Sequence, residues 1–147
     1  MVEKVLVVED DDSKANEIIG FVKSINNNVN ISRKESLNSA LVDIVKNIYD
    51  LIILDMSLPT FDKNETENFK PFGGLMFLSE VKRKRYTFPV VIVTQYAAFG
   101  EGSNEKSIEQ LDAKCKKEYP NYKEIIYFLD GTWKEKLKKY IEGVNND

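Results

Sequence analysis

Short runs of β-branched and apolar residues, each followed by a stretch of helical periodicity, dictate most of what this chain can become. Lys4–Glu9 (KVLVVE), Leu51–Leu54 (LIIL) and Pro89–Thr94 (PVVIVT) are almost continuously apolar rather than alternating. That is the pattern of strands covered on both faces of a parallel sheet. Glu124–Leu129 (EIIYFL) repeats it, and Val29–Arg33 (VNISR) is a shorter, alternating version. Between these runs lie helical faces: Ala15, Ile18, Ile19 and Val22; Leu37, Ala40, Leu41 and Ile44; then Leu75, Leu78 and Val81. A fourth helix is expected near Asn104–Glu118, stopped by Pro120, and a fifth over Thr132–Glu142, burying Trp133, Leu137, Tyr140 and Ile141. Five strands alternating with five helices make a (βα)5 chain, and right-handed crossovers close it as an α/β, doubly wound parallel sheet. The 147 residues suit a single domain, 1–147. Its main interruption is a polar loop from Met56 to Gly73 with Pro59, Pro71 and no clear period; loops of that length are usually functional or mobile.

Composition removes several kinds of chemistry. The chain has no histidine, which excludes Ser-His-Asp and Cys-His catalysis, histidine metal sites and a phosphohistidine of its own. Its one cysteine, Cys115, placed on a basic helix face, forms no internal disulfide or thiolate cluster and is expected to be a bystander. A formal charge of -3 argues against a nonspecific grip on nucleic acid. The basic run Lys82–Arg85 fits a helix C-terminus better than a phosphate backbone. No apolar run approaches the ~20 residues of a membrane span, and the start Met-Val-Glu-Lys lacks a signal peptide's apolar stretch. The expectation is a cytoplasmic protein.

In a parallel sheet the C-terminal strand ends share one edge, where ligands bind. Here the first strand ends in Glu9-Asp10-Asp11-Asp12, the third in Asp55 and the fourth in Thr94-Gln95. In the strand order 2-1-3-4-5 the first and third strands are neighbours, ~4.8 Å apart. Carboxylates that close repel by up to ~4 kcal/mol per pair, and Mg²⁺, which favours a few carboxylates plus water and phosphate oxygens, relieves the repulsion. An acidic pocket with a carboxylate at a strand tip suits phosphoryl transfer to that carboxylate, with the Thr94 hydroxyl donating to a phosphoryl oxygen. Each residue also has an ordinary reading: Asp11, Asp12 and Ser13 suit a helix N-cap, Asp55 a turn, and Thr94 a strand end.

Taken together, VLVVEDD, DLIILDMSLP at Asp50–Pro59 and PVVIVT resemble the receiver domain of two-component response regulators, over a stretch from Lys4 to about Ile141. The resemblance implies a flavodoxin-like fold and a stand-alone signalling domain that is the substrate of a kinase rather than an enzyme. It implies that Glu9 and Asp10 hold Mg²⁺ and that Asp55 is the phosphoacceptor, with the Ser57 backbone carbonyl as a further ligand. Thr94 is then the switch hydroxyl and Tyr127 the switch aromatic. The implied partners are a histidine kinase or phosphotransfer protein and a downstream protein, docking on the fourth helix, fifth strand and fifth helix.

Three features depart from that family. Its fifth strand ends in a Lys-Pro pair, whereas this one reads Tyr127-Phe128-Leu129-Asp130-Gly131; Lys123, Lys134 or a lysine of the long loop is then needed to reach the site. The turn after the phosphoacceptor is lengthened by Thr60–Gly73, which includes Phe61, Phe69 and Phe72 and reads as a lid, a docking element or a tolerated insertion. Gln95 replaces a small residue, narrowing access to Asp55 or orienting water. The alternatives are a pseudo-receiver that takes no phosphate and acts as an interaction module, and a haloacid-dehalogenase-like phosphatase suggested by Asp10-x-Asp12. The latter is weakened by Lys14 and by the absence of an acidic pair after the fourth strand.

Overall fold

A computed structural model of the chain describes residues 1–62, 69–70 and 72–143, with the backbone alone at 69 and 70. Five parallel strands form the central sheet: β1 (Lys4–Val8), β2 (Asn30–Lys34), β3 (Leu51–Leu54), β4 (Val90–Thr94) and β5 (Tyr122–Tyr127). Their order is β2-β1-β3-β4-β5, the order of the flavodoxin-like fold that the resemblance implies. The helices are α1 (Asp12–Ile25), α2 (Leu37–Lys46), α3 (Gly73–Arg83), α4 (Ile108–Glu118) and α5 (Trp133–Glu142).

The near-continuous apolar strands are explained by two cores. Leu6, Val8, Ile52, Leu54 and Ile92 face α2, α3 and α4, where Ile44, Phe77, Leu78, Val81 and Leu111 meet them. Val5, Val7, Ile53, Val91 and Val93 point the other way, onto Ile18 and Val22 of α1 and Trp133, Leu137 and Ile141 of α5. Successive side chains leave a strand on opposite faces, so a strand covered on both sides has no polar side to show.

Several boundaries differ from the expected ones. β5 begins and ends two residues early, because its pairing with β4 runs from Tyr122 to Tyr127, with a shift of register at Lys123 between Val90 and Val91. α4 starts at Ile108 rather than 104, because Ser107 and Gln110 form a reciprocal capping box there. Ala98–Phe99 pairs antiparallel with Lys106–Ser107 just ahead of that helix. Cys115 does not lie on a basic face; it is fully buried in the α4 side of the core. The 56–73 stretch is not wholly loop: Leu58–Pro59 pairs antiparallel with Phe69–Lys70. Its residues 63–68 and 71, and the Phe69 side chain, lie outside the described residues. No helix among the described residues is long and apolar enough to cross a membrane.

Candidate functional site

β1 and β3 end level, Val8 opposite Leu54, so Glu9 and Asp55 leave the sheet side by side. The Asp55 N–H still donates to the Val8 carbonyl (3.1 Å) and the Glu9 N–H to that of Lys34 (3.0 Å). Both carboxylates are thus fixed by the last rungs of the sheet. Arg33 on β2 secures the turn that follows: its Nε and Nη2 donate to the Glu9 carbonyl (3.1 and 2.8 Å), and Nη1 pairs with Asp12 (2.9 Å). Asp11 caps α1, accepting from the N–H groups of Ser13 and Lys14 (2.9 and 3.2 Å).

Ligand atoms of Glu9, Asp10 and Asp55 lie within 4.8 Å of one another. Glu9 and Asp55 are buried and Asp10 is half-buried. Burial first, and then the Asp55 charge, push the Glu9 carboxyl up to about 7 against the pull of Lys14. The Asp55 carboxyl is also raised, chiefly by burial and secondarily by Asp10, with Lys14 again opposing. Burial penalises the charged form of each acid and the neighbouring carboxylate adds to it.

The cation that offsets this was not anticipated. Lys14, on the buried face of α1 with Ala15, Ile18 and Val22, is only 3% exposed. Its ammonium stands 2.7 Å from Glu9 Oε1 and 3.1 Å from Asp55 Oδ1, and donates to the Val93 carbonyl at 2.7 Å. The contact with Asp55 is one of charge rather than alignment, for Oδ1 accepts no hydrogen bond among the described residues. A signal for Lys14 did exist: it precedes Ile18 and Val22 by one and two helical turns, in phase with the apolar face.

The lysines expected to reach the site do otherwise. Lys123 is exposed on β5, and Lys134 lies over the rings of Phe21 and Trp133. The side chains of loop residues Lys63 and Lys70 lie outside the described residues. At the end of β5, Leu129 is exposed and Asp130 pairs loosely with Lys136 at 3.8 Å. The Phe128 ring faces the Lys14 ammonium at 5.8 Å.

Thr94 is fully buried at the end of β4, its hydroxyl accepting from the Tyr96 N–H (3.2 Å). Tyr127, half-buried, is its register partner on β5. Gln95 is half-buried, and its Oε1 also lacks a partner among the described residues. Ser57 is buried in the loop leaving β3. The start of α3 closes on that loop: the Gly74 N–H donates to the Met56 carbonyl (2.7 Å). A Cβ on Gly74 would stand 3.0 Å from Met56 Cα and 3.1 Å from the Asp55 carbonyl oxygen. The described part of the long loop turns towards α2, and residues 63–68 and 71 of the expected lid lie outside the described residues. The Asn38 N–H donates to the Thr60 carbonyl (2.8 Å), and Ser36 Oγ to Asp62 (2.6 Å). Phe72 meets Phe99 at 6.4 Å between ring centroids, while Phe61 is exposed.

The donor set suits a hard divalent cation. It offers three carboxylates in reach of one point, one of them with a buried oxygen that accepts no hydrogen bond among the described residues.

No family model matches the chain. It is 28% identical over 142 residues to uncharacterized protein y4jR of Sinorhizobium fredii, covering 92% of this chain and 94% of that one. It is 25% identical over 146 residues to the Detocs response regulatory protein DtcB of Enterobacter cloacae, covering 94% and 97%. Among solved structures, a response regulator receiver domain protein from Clostridium thermocellum superposes with a TM-score of 0.66 at 19% identity, covering 96% of this chain and 92% of that one. Strand order, the acids at the sheet edge and these likenesses agree: the chain has the fold of a response regulator receiver domain.

Proposed function

We propose that this chain is a phosphorelay receiver that accepts a phosphoryl group on Asp55 from a histidine kinase or a phosphotransfer protein and signals through protein contacts. The observation that carries this reading is the buried Asp55 carboxylate at a strand tip. One of its oxygens accepts no hydrogen bond among the described residues, and it stands beside a lysine and two further acids. An Asp55 oxygen attacks phosphorus; the O–P bond forms, the P–N bond to the donor imidazole breaks, and its electron pair returns to the ring nitrogen. Glu9, Asp10, Asp55 and the Ser57 carbonyl would hold Mg²⁺, which neutralises phosphoryl oxygens when bound. On this reading the Thr94 hydroxyl would donate to a phosphoryl oxygen of the product, with Tyr127, its register partner on β5, as the switch aromatic. The output surface on this reading is α4, β5 and α5. The name of the relative DtcB, a response regulatory protein matched over nearly its whole length, is consistent with it.

The pseudo-receiver alternative rested on the lysine missing from β5, and the buried ammonium of Lys14 removes much of that support. The phosphatase alternative needs Asp12 in the pocket, but Asp12 is 64% exposed and paired with Arg33.

The test is incubation with Mg²⁺ and a small phosphodonor such as phosphoramidate, read by intact mass. One phosphoryl group is gained by the wild type, and none by Asp55→Ala or in the presence of a chelator. No gain in the wild type, or a gain that survives Asp55→Ala, ends this reading.

A further inference from the structure

Lys14 is the one buried lysine among the described residues, and it arrives from the first turn of a helix rather than from the end of the fifth strand. Its ammonium is divided between two acids expected to play different parts. It lies nearer the Glu9 carboxylate, a candidate metal ligand, than the Asp55 carboxylate that would react. The donation to the Val93 carbonyl anchors it to β4, next to Thr94. Phe128 closes its far side with an aromatic face. The Asp11 cap holds the backbone N–H of Lys14 itself, so the cap that starts α1 also sets where this side chain points.

We infer that Lys14 is the phosphoryl-contacting cation of this site and, before phosphorylation, an internal counter-ion that a divalent metal must displace from Glu9. This inference rests on the phosphoacceptor reading of Asp55. A tethered ammonium and a metal ion compete for the same carboxylate, because each is attracted by the same local negative charge. Once the metal takes Glu9, the ammonium keeps its place beside Asp55 Oδ1, where phosphoryl oxygens would appear. A fixed cation aimed at developing charge in a water-poor pocket is an effective transition-state contact. Lys14 therefore acts in opposite senses on two measurable steps: it weakens metal binding and speeds transfer.

The experiment compares the wild type with Lys14→Met and Lys14→Arg by calorimetric Mg²⁺ titration and by phosphoramidate labelling rate. In Lys14→Met the Mg²⁺ affinity rises roughly tenfold, as one positive charge leaves the pocket. Its labelling rate falls about 100-fold, the loss typical of one transition-state donor. Lys14→Arg keeps a positive charge and recovers part of the rate. A merely structural lysine would lower both quantities together, and that result overturns the inference, as does a Lys14→Met rate equal to the wild type. If the wild type itself takes no phosphoryl group, the phosphoacceptor reading fails and this inference goes with it. A wild-type rate in Lys14→Met removes this inference alone. Should Lys14→Met not fold, the wild-type protein crystallised with Mg²⁺ and fluoroberyllate decides. Nζ within hydrogen-bond distance of a fluoride supports the inference, and Nζ remaining on Glu9 overturns it.

Discussion

The two edges of the sheet hold polar groups in opposite ways. At the N-terminal edge, Asp50 accepts from the N–H groups of Glu3 and Lys4 (3.0 and 2.9 Å). Asn121 donates to the carbonyls of Tyr86 and Phe88 (2.8 and 2.7 Å), and its own carbonyl accepts from Val90 (2.9 Å). Each of those bonds joins a loop to a strand or to another loop, and none leaves a charge facing a like charge. At the C-terminal edge, acids crowd one another, Glu9 and Asp55 are raised, and among the described residues Asp55 Oδ1 faces a misaligned ammonium and accepts no hydrogen bond. A satisfied polar cluster holds a fold together. A frustrated one is tolerated only where some other group completes it, and here the candidates for that group are a metal and a phosphoryl group.

The contrast can be broken most directly by stability measurements. Asn121→Ala leaves two part-buried carbonyls without their donor and is expected to cost about 2–4 kcal/mol in chemical denaturation. Asp55→Asn, which removes one of the crowded charges and leaves Lys14 with Glu9, is expected to leave stability unchanged or raised in the absence of metal. If Asp55→Asn proved the more damaging of the two, the description of the C-terminal edge as frustrated would be wrong.

A smaller effect sharpens the picture at that edge. In Gly74→Ala the new methyl meets the backbone at Met56 and Asp55, which has no flexible end to yield. The expected cost is about 1–3 kcal/mol, together with slower labelling of Asp55 as its loop is pushed aside. Labelling at the wild-type rate would mean that the loop gives way without moving the carboxylate.

The smallest effect concerns groups away from the site. Burial pushes the Cys115 thiol from 9.0 up to about 12. Tyr122, against Asp112, and Tyr140, against Glu124, are raised too, with burial the leading cause. Between pH 9 and 12 the native thiol keeps its proton while the unfolded one loses it, so stability falls as pH rises through that window. The loss for the thiol is about 1 kcal/mol one unit above its ordinary value. Denaturation curves across that range should show the decline, and Cys115→Ser should remove the thiol's share of it, which dominates between pH 9 and 10. Thiol reagents should reach Cys115 only on unfolding.

Asp55, Glu9 and Thr94 could be located from the sequence because each follows a short apolar run whose end marks the edge of a strand. The position of such residues depends on local pattern and on a topology that right-handed crossovers leave little freedom to vary. The capping boxes at Ser36 and Ser107 and the ribbon of Leu58–Pro59 with Phe69–Lys70 were less legible. A two-residue strand carries too little periodicity to separate it from loop. Lys14 is hidden for a different reason: next to an apolar face of Ala15, Ile18, Ile19 and Val22, a lysine reads as a solvated neighbour even though it is in phase with Ile18 and Val22.

What the sequence by itself determined is the alternation of strand and helix and the gathering of acids on one edge, since both follow from hydrophobic period and chain direction. Only the tertiary structure decided which cation answers them. The 40 residues between Lys14 and Asp55 are bridged by the packing of α1 on β1 and β3, and the Asp11 cap sets the rotation that turns the ammonium inward. Charge at a buried site must be balanced by whatever side chain the fold brings within reach, and that reach is a property of packing rather than of spacing along the chain.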